Sequence, residues 1–338
     1  MSDIKPIEWK NDHLCVLDQT LLPSEEVYRD LRSVQDVIEA IQSLAVRGAP
    51  ALGAVGGYGV VIAMLQNADR AKLMPAIASI REARPTAVNL SWAVSRVSKF
   101  VDEGIERVLE EARSIQTEDE QANIALSGHA LNWLEKNLPS SGYRVLTHCN
   151  TGTLATTYWG TALGVIRALN DNGKIIEVYV DETRPLLQGS RLTAWELRKL
   201  GINHRVQVDS AAASAIVGGR IDFAIIGADR IANNGDTANK IGSLAVALAC
   251  KHAGIPFLVA APTSTLDVHL NSGADIEIEE RSGQEVTTVG HTQVAPNGTL
   301  VFNPAFDVTP ADLISGIVTE VGVFEPGIGR TFKNFLSL

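Results

Sequence analysis

Two residues that can exchange protons follow predicted strands. Asp229 comes after the apolar run at 221–226, and Cys149 comes after the β-like run at 144–147. Ligands of an open α/β sheet bind outside the carboxyl ends of its strands, so we expect both side chains at that edge. A carboxyl group can serve as general acid, and an accessible thiol can serve as base. The alternative for Cys149 is a thiol that only packs under its loop.

Basic and amide-bearing residues favour a phosphate ligand. Asn239 and Lys240 are predicted to open a helix, and Arg47-Gly48-Ala49-Pro50 lies where one helix ends and another begins. Helix N-termini offer free amides and the positive end of the dipole to anions, and Arg47 could grip the same group. A helix–helix corner with a surface arginine is the alternative. Arg84, before Pro85, is by default a solvated arginine.

A second group of polar residues follows the predicted strand at 175–180. Asp181 and Glu182 could bind a cation or act as acid and base, or they could pair with Arg184 or Arg191. Gln188 lies in the same loop and therefore also at the carboxyl edge of the sheet.

The histidines and the other cysteines indicate neither a metal site nor disulfides. His148 precedes Cys149, but neighbours on an extended segment point to opposite faces, so a direct Cys–His pair is not expected. No histidine spacing of the HxxxH or HxH type occurs, and we expect no required metal. Cys15 in a strand and Cys250 in an apolar helix are expected to be buried free thiols.

The first part of the chain is predicted to be mainly helical. Alternation at 7–22 around a turn at Asn11-Asp12 predicts a hairpin. The glycines of GAVGGYG follow a helix and lack the GxGxxG spacing, so they predict close helix packing rather than dinucleotide binding. Helical patterns cover 33–46, a stretch from Pro50 onward, 68–83, 89–103 and 117–137.

Beyond a break at 138–142, strands and helices alternate. Such β–α units predict an α/β fold with a parallel sheet wound on both faces. The segment 275–299 is predicted to be a loop or hairpin, and 309–321 a closing helix capped by Thr309. Strands are predicted at 144–147, 175–180, 205–208, 221–226 and 257–260, and helices at 160–170, 191–200, 210–217 and 240–253.

Composition indicates a globular protein. The length of 338 residues favours two domains, and 45% of the residues are hydrophobic. We find no apolar stretch of membrane-spanning length and no signal-peptide character. A cytoplasmic location is therefore expected. The net charge of −10, without a cluster of Lys and Arg, argues against nucleic acid and acidic membranes as partners.

Several segments together resemble the methylthioribose-1-phosphate isomerases of methionine salvage. The resemblance implies a Rossmann-like doubly wound domain after a smaller helical one, a homodimer and no cofactor. We place the boundary between the domains at 122/123. The matching segments are RGAPALG (47–53), RPTAVNL (84–90), HCNTGTLAT (148–156), DETRPLLQGSRLTAWEL (181–197), IIGADRIANNGDTANKIGS (225–243), APTSTLD (261–267), IEERS (278–282) and NPAFDVTP (303–310).

The same resemblance implies roles in the interconversion of 5-methylthioribose 1-phosphate and 5-methylthioribulose 1-phosphate. Asp229 resembles the proton donor, and Cys149 resembles the residue that stabilises the transition state. The positions that resemble substrate contacts are Arg47, Gly48, Ala49, Arg84, Gln188, Asn239 and Lys240.

These residue types suit that reaction. The esterified anomeric oxygen locks the sugar as a ring, so opening needs an acid at the ring oxygen, and burial beside an apolar strand would raise the pKa of Asp229. Hydrogen then moves from C2 to C1, as a proton with Cys149 as base or as a hydride in a water-poor site. Two alternatives keep the fold: an isomerase of ribose 1,5-bisphosphate or 5-deoxyribose 1-phosphate, or a regulatory subunit of a translation-initiation exchange factor.

Overall fold

The computed structural model describes residues 4–85, 87–290 and 292–337 and divides the chain into two compact units. Unit 1 comprises Met1–Ala125 and Thr151–Gly164, and unit 2 comprises Leu126–Asn150 and Val165–Leu338. The domain boundary placed at 122/123 stays a prediction. Thr86 and His291, from the segments 84–90 and 275–299, lie outside the described residues, as do residues 1–3 and 338.

Unit 1 combines a small antiparallel sheet with helices. Strands β1 and β2 form the predicted hairpin, and β3 adds a strand that the sequence did not indicate. Ser33 caps α1 through a capping box with Asp36. The elements are β1 (Ile7–Lys10), β2 (His13–Leu17), β3 (Tyr28–Leu31), α1 (Val34–Gln42), α2 (Ala49–Gln66), α3 (Arg70–Arg81), α4 (Val88–Ser98) and the first part of α5 (Ile105–Asn137).

Helix α2 forms the centre of unit 1. It is long and apolar enough to cross a membrane by length and composition, contrary to the sequence prediction, but most of it is buried in the core with α1, α3 and α4. Its glycines allow α4 to approach closely, since a Cβ at Gly56 would lie 2.5 Å from Leu90 Cδ1. The predicted role of these glycines in helix packing is confirmed.

The segment Thr151–Gly164 is held to the rest of unit 1 by buried and partly buried hydrogen bonds. Gln19 Nε2 donates to the carbonyl of Leu154 at 2.8 Å. The N–H and hydroxyl of Thr157 both donate to Asp119 Oδ2, at 2.9 and 2.7 Å. Burial raises the pKa of Asp119 to about 6, against the opposing effect of the Thr157 hydrogen bonds.

Unit 2 contains a seven-stranded sheet in the order β16-β15-β10-β7-β4-β5-β6, parallel except for β16. The predicted parallel α/β fold is confirmed. The sheet strands are β4 (Tyr143–Thr147), β5 (Ile175–Asp181), β6 (His204–Gln207), β7 (Phe223–Ile226), β10 (Phe257–Ala260), β15 (Gly316–Thr319) and β16 (Gly322–Phe324). The helices are α6 (Ala162–Asp171), which begins in unit 1, α7 (Ala194–Leu200), α8 (Ala211–Val217), α9 (Ser243–Ala253), α10 (Gln284–Thr287) and α11 (Phe332–Leu336).

The remaining strands of unit 2 form smaller sheets. A four-stranded sheet has the order β11-β8-β9-β14, and β12 pairs with β13 as a short hairpin inside the predicted loop at 275–299. These strands are β8 (Arg230–Ala232), β9 (Thr237–Lys240), β11 (Leu266–Asp267), β12 (Thr288–Val289), β13 (Thr292–Gln293) and β14 (Phe306–Thr309).

The predicted closing helix at 309–321 is wrong. Thr309 ends β14, and the apolar residues after it form β15, which lies fully buried beside β10. A short run buried on both faces has no alternation, so it cannot be distinguished from a buried helix by periodicity.

The order of the large sheet reverses at β4. The chain continues from β4 to β5 and β6 on one side, and then from β7 to β10 and β15 on the other. Ligands of doubly wound sheets bind at such a reversal, outside the carboxyl ends of the two strands that flank it. Here those two strands are β4 and β7.

We predict that Asp119→Asn changes the pH dependence of stability. The folded-state pKa of about 6 lies above the ordinary value of 3.8, so the folded state binds more protons and loses stability as pH rises between those values. The wild-type free energy of unfolding, relative to that of Asp119→Asn, should fall by up to about 3 kcal/mol from pH 4 to pH 7. Urea unfolding at several pH values measures this, and parallel curves would contradict it.

Candidate active site

Cys149 and Asp229 follow the two strands that flank the reversal. Leu146 of β4 is opposite Ala224 of β7, and one residue further the Thr147 hydroxyl donates to the carbonyl of Ile225 at 2.9 Å. Paired strands lie about 4.8 Å apart, so the segments carrying the thiol and the carboxyl group leave the sheet side by side.

The backbone around Cys149 is strained and held in place by hydrogen bonds. Cys149 has a φ of 65°, which L-residues other than glycine seldom adopt. Its N–H donates to Thr183 Oγ1 at 2.9 Å, and its carbonyl accepts from Thr193 Oγ1 at 2.7 Å. Thr183 and Leu187 also have positive φ values. Such strain persists where the surroundings over-determine the geometry, as at functional sites.

His148 lies in the interior of unit 2 and contacts two acceptors. Its Nδ1 lies 2.9 Å from Asp181 Oδ2, and its Nε2 lies 2.8 Å from the carbonyl oxygen of Ile241. Asp181 accepts a second hydrogen bond from Gln207 at 2.9 Å. Both imidazole nitrogens therefore face groups other than the neighbouring thiol. Asp181 was expected to pair with Arg184 or Arg191 if it did not bind a cation or act in catalysis, but its carboxylate contacts His148 and Gln207 instead.

Burial and charge act in opposite directions on the His148–Asp181 pair. Burial alone would lower the pKa of His148, but the hydrogen bond and charge of Asp181, with Asp209 and the Ile241 carbonyl, raise it. Burial raises the pKa of Asp181. Both shifts favour keeping a proton within the pair.

His148, Asp181 and Asp209 are close enough for one metal ion, since a ligand atom from each lies within 4.8 Å of the others. The carboxylate of Asp209 already accepts the N–H groups of Thr183 and Arg184, each at 2.7 Å. A cation bound to all three residues would have to displace hydrogen bonds of this network.

Asn239 and Lys240 do not open a helix, and that prediction is wrong. They end β9, which pairs with β14, and α9 begins after Gly242. The carboxylate of Asp307 accepts the N–H groups of Gly242 and Leu244, at 2.7 and 3.1 Å. Two of the N–H groups at the start of α9 therefore already bind a carboxylate from the protein.

The side chains of Asn239 and Lys240 are buried at the end of β9. Lys240 Nζ donates to the carbonyl of Ala305 at 2.8 Å and lies 4.8 Å from the ring centre of Phe306. Asn239 Nδ2 donates to the Ser243 hydroxyl at 2.8 Å. These contacts hold an amide and an ammonium group in a buried position.

Asp229 is exposed. From the sequence, burial beside the apolar strand was expected to raise its pKa, and that expected cause is wrong. Its N–H donates to the carbonyl of Ala238 at 2.9 Å, so the backbone is anchored to β9 while the residue faces solvent. Desolvation of this carboxyl group would have to come from bound substrate.

Gln188 has a buried acceptor. The residue is only 4% exposed, and its Oε1 accepts no hydrogen bond within the described part of the chain. Buried polar atoms are rarely left unpaired in native proteins. A ligand hydroxyl could satisfy this oxygen.

The four other predicted contacts belong to unit 1. Arg47 and Arg84 are partly buried, so Arg84 is not the fully solvated arginine expected by default. Gly48 has a φ of 95° and precedes α2, which begins at Ala49 and has no side-chain cap. A Cβ at Gly48 would lie 2.1 Å from the carbonyl oxygen of Ala155, so only glycine fits this turn.

Sequence reasoning missed three residues that shape the site: Thr183, Thr193 and Asp307. Neither threonine has a local signal, because each bonds Cys149 from a segment that is distant in sequence. Asp307 interrupts an apolar strand-like run, AFDV, and an acidic residue there could have indicated a buried partner.

The sequence profile of the initiation factor 2 subunit family matches residues 45–326. The chain belongs to this family. Among curated members, the methylthioribose-1-phosphate isomerase 2 of Pseudothermotoga lettingae is 48% identical over 337 residues, covering 96% of each chain. The methylthioribose-1-phosphate isomerase of Thermoanaerobacter sp. (strain X514) is 47% identical over 340 residues, covering 96% of this chain and 97% of the relative.

Two solved structures that are similar to this chain are described differently, one as an isomerase and the other as a translation initiation factor subunit. A crystal structure of 5-methylthioribose 1-phosphate isomerase from Pyrococcus horikoshii OT3 has a TM-score of 0.90 and 39% identity, covering 98% of this chain and 96% of that one. A structure described as translation initiation factor eIF-2B, subunit delta, from A. fulgidus has a TM-score of 0.88 and 39% identity, covering 99% and 100%.

We predict that Gly48→Ala destabilises the protein more than Gly104→Ala. Both glycines have a positive φ, 95° and 99°, but a Cβ at Gly104 would meet nothing within 4 Å, whereas one at Gly48 would overlap Ala155. Gly104→Ala should cost about 1 kcal/mol for backbone strain, and Gly48→Ala about 2–3 kcal/mol more for overpacking. Chemical denaturation of both variants measures the difference, and equal losses would contradict the overlap.

Proposed function

We propose that this protein interconverts 5-methylthioribose 1-phosphate and 5-methylthioribulose 1-phosphate, an aldose–ketose isomerisation of methionine salvage. The observation that carries the proposal is that Cys149 and Asp229 follow adjacent strands at the reversal of the sheet. The names of relatives that match nearly the whole chain support the same reaction.

Asp229 is the proposed acid for ring opening. The C1 oxygen carries the phosphate, so the ring opens only when the ring oxygen receives a proton and the C1–O bond to it breaks. Because Asp229 is exposed, substrate can reach its carboxyl group directly. Contact with the sugar would then remove water from the carboxyl group and raise its pKa, which makes it a better acid near neutral pH.

Cys149 is proposed to assist the hydrogen transfer from C2 to C1. In either route the C2 hydroxyl loses its proton as the ketone forms, and the carboxylate left on Asp229 by ring opening accepts it. In the proton route the thiolate removes the C2 proton to give an enediol with the phosphate on O1, and the thiol returns the proton to C1. In the hydride route hydrogen passes directly with its electron pair, and the buried Cys149 region limits access of water. Turnover in heavy water bears on the choice: deuterium at C1 supports the proton route, and full retention supports hydride transfer or a shielded proton.

The proposed substrate contacts combine cations, amides and backbone groups. The unpaired Oε1 of Gln188 can accept a hydroxyl hydrogen, and the buried ends of Asn239 and Lys240 offer donors. Near α9 the contacts are proposed to come from side chains, because Asp307 already accepts the N–H groups of Gly242 and Leu244. Arg47, Gly48, Ala49 and Arg84 are proposed contacts from the resemblance of their segments.

We also propose a cytoplasmic homodimer that needs no cofactor. Acid–base or hydride transfer within one sugar is redox-neutral overall, so no external oxidant or reductant takes part. The relatives that match nearly the whole chain are named as enzymes acting on a sugar phosphate, which favours the cytoplasm. The family resemblance favours the dimer.

Two alternatives remain testable. Isomerases of ribose 1,5-bisphosphate or 5-deoxyribose 1-phosphate would use the same chemistry on another C5 substituent, and comparative turnover of the three sugars separates them. A regulatory role in translation initiation is favoured by the similarity to the A. fulgidus protein. The thiol in HCNTG and the carboxyl group in GADRI favour catalysis instead.

We predict that Asp229→Asn lowers kcat on 5-methylthioribose 1-phosphate by about 10²–10⁴-fold, because the amide keeps the shape but cannot donate the proton. KM should change little. Asp275→Asn, which neutralises an exposed carboxylate elsewhere in unit 2, is the matched control and should retain wild-type kinetics. Wild-type turnover by Asp229→Asn would refute the assignment of the acid, and an inactive wild type would refute the proposed reaction.

A further inference from the structure

The buried imidazole of His148 joins two parts of the candidate site. On one side it meets Asp181 at the end of β5, and on the other it meets the carbonyl of Ile241, directly after Lys240. The ring also packs on the turn before α9, since a Cβ at Gly242 would lie 2.7 Å from His148 Cε1.

The same loop after β5 also holds the backbone of Cys149. The Cys149 N–H donates to Thr183 Oγ1, and that hydroxyl donates to the carbonyl of Asp181 at 2.9 Å. The residue that anchors the imidazole through its carboxylate therefore also anchors the thiol-bearing peptide through its carbonyl. His148 and Cys149 are covalent neighbours, so they are fixed as one unit.

The partners of His148 determine how many hydrogens it carries. The Ile241 carbonyl can only accept, so Nε2 must be protonated. An ionised Asp181 can also only accept, which puts a hydrogen on Nδ1 as well and makes the ring a cation. Three carboxylates, Asp181, Asp209 and Asp307, interact electrostatically with His148. The positive ring offsets the buried charge of Asp181, while Asp209 and Asp307 also accept backbone N–H groups.

We propose that His148 is a positioning residue: as an imidazolium between Asp181 and Ile241, it fixes the Cys149 peptide relative to the turn that follows Asn239 and Lys240. This inference rests on the proposed isomerase function. Misplacement of reacting groups by about 1 Å can cost 10²-fold in rate. His148 therefore acts through its neighbours without contacting the sugar.

The test separates positioning from stability. His148→Gln keeps one donor but removes the ring and the charge, and it leaves the buried carboxylate of Asp181 without a cation, which also destabilises the fold. The double variant His148→Gln/Asp181→Asn removes that unpaired charge. We expect kcat to fall about 10²-fold in the single variant, and the double variant to regain thermal stability while its kcat stays low.

The control is His129→Gln. His129 is a partly buried histidine in the same unit whose Nε2 also meets a backbone carbonyl, that of Glu320 at 3.1 Å, and its variant should keep the wild-type kcat. If the double variant regains both stability and kcat, His148 has only a structural role and the inference is overturned. A wild type without turnover would instead overturn the proposed function.

A second measurement does not depend on activity. Nitrogen-15 NMR of histidine-labelled wild-type protein, with the His148 signals assigned from the His148→Gln variant, reports the protonation of both ring nitrogens. We expect both to be protonated at about pH 7. A neutral ring at that pH would overturn the inference.

Discussion

The reversal of strand order between β4 and β7 is the constraint on which the candidate site depends. It places two loops that are distant in sequence at adjacent strand ends, one with Cys149 and the other with Asp229. The direct bond from Thr147 to Ile225 fixes the register of these strands immediately before the loops diverge. Any rearrangement of this pairing would move apart the two loops that carry the thiol and the carboxyl group.

Beyond the strand ends, buried polar groups take over the positioning. The β5 loop holds Cys149 through Thr183, and Asp307 holds the start of α9. Each of these bonds pairs a backbone N–H group. Leaving such a group buried and unpaired would cost about 1–3 kcal/mol. The backbone at Cys149 and at the start of α9 is consequently held in place, while Asp229 itself stays accessible to solvent.

Much of this arrangement could be predicted because the signals are local. Apolar runs between helical patterns identified five of the seven strands of the large sheet, and loops at strand ends identified Cys149 and Asp229. The failures involve distant partners. The segment at 237–240 became a strand because β14 pairs with it, and 316–319 became a strand because β10 offered a buried edge. The exposure of Asp229 depends on how its loop leaves the sheet, which composition does not specify.

The carboxylate of Asp307 at the start of α9 has a consequence for selectivity. A bare helix start attracts free inorganic anions as readily as a phosphate attached to a sugar, since its amides and dipole sense only charge. Because Asp307 already accepts the N–H groups of Gly242 and Leu244, free inorganic anions gain little by binding there. Selectivity between inorganic anions and a sugar phosphate then depends on groups that contact the sugar as well as the phosphate.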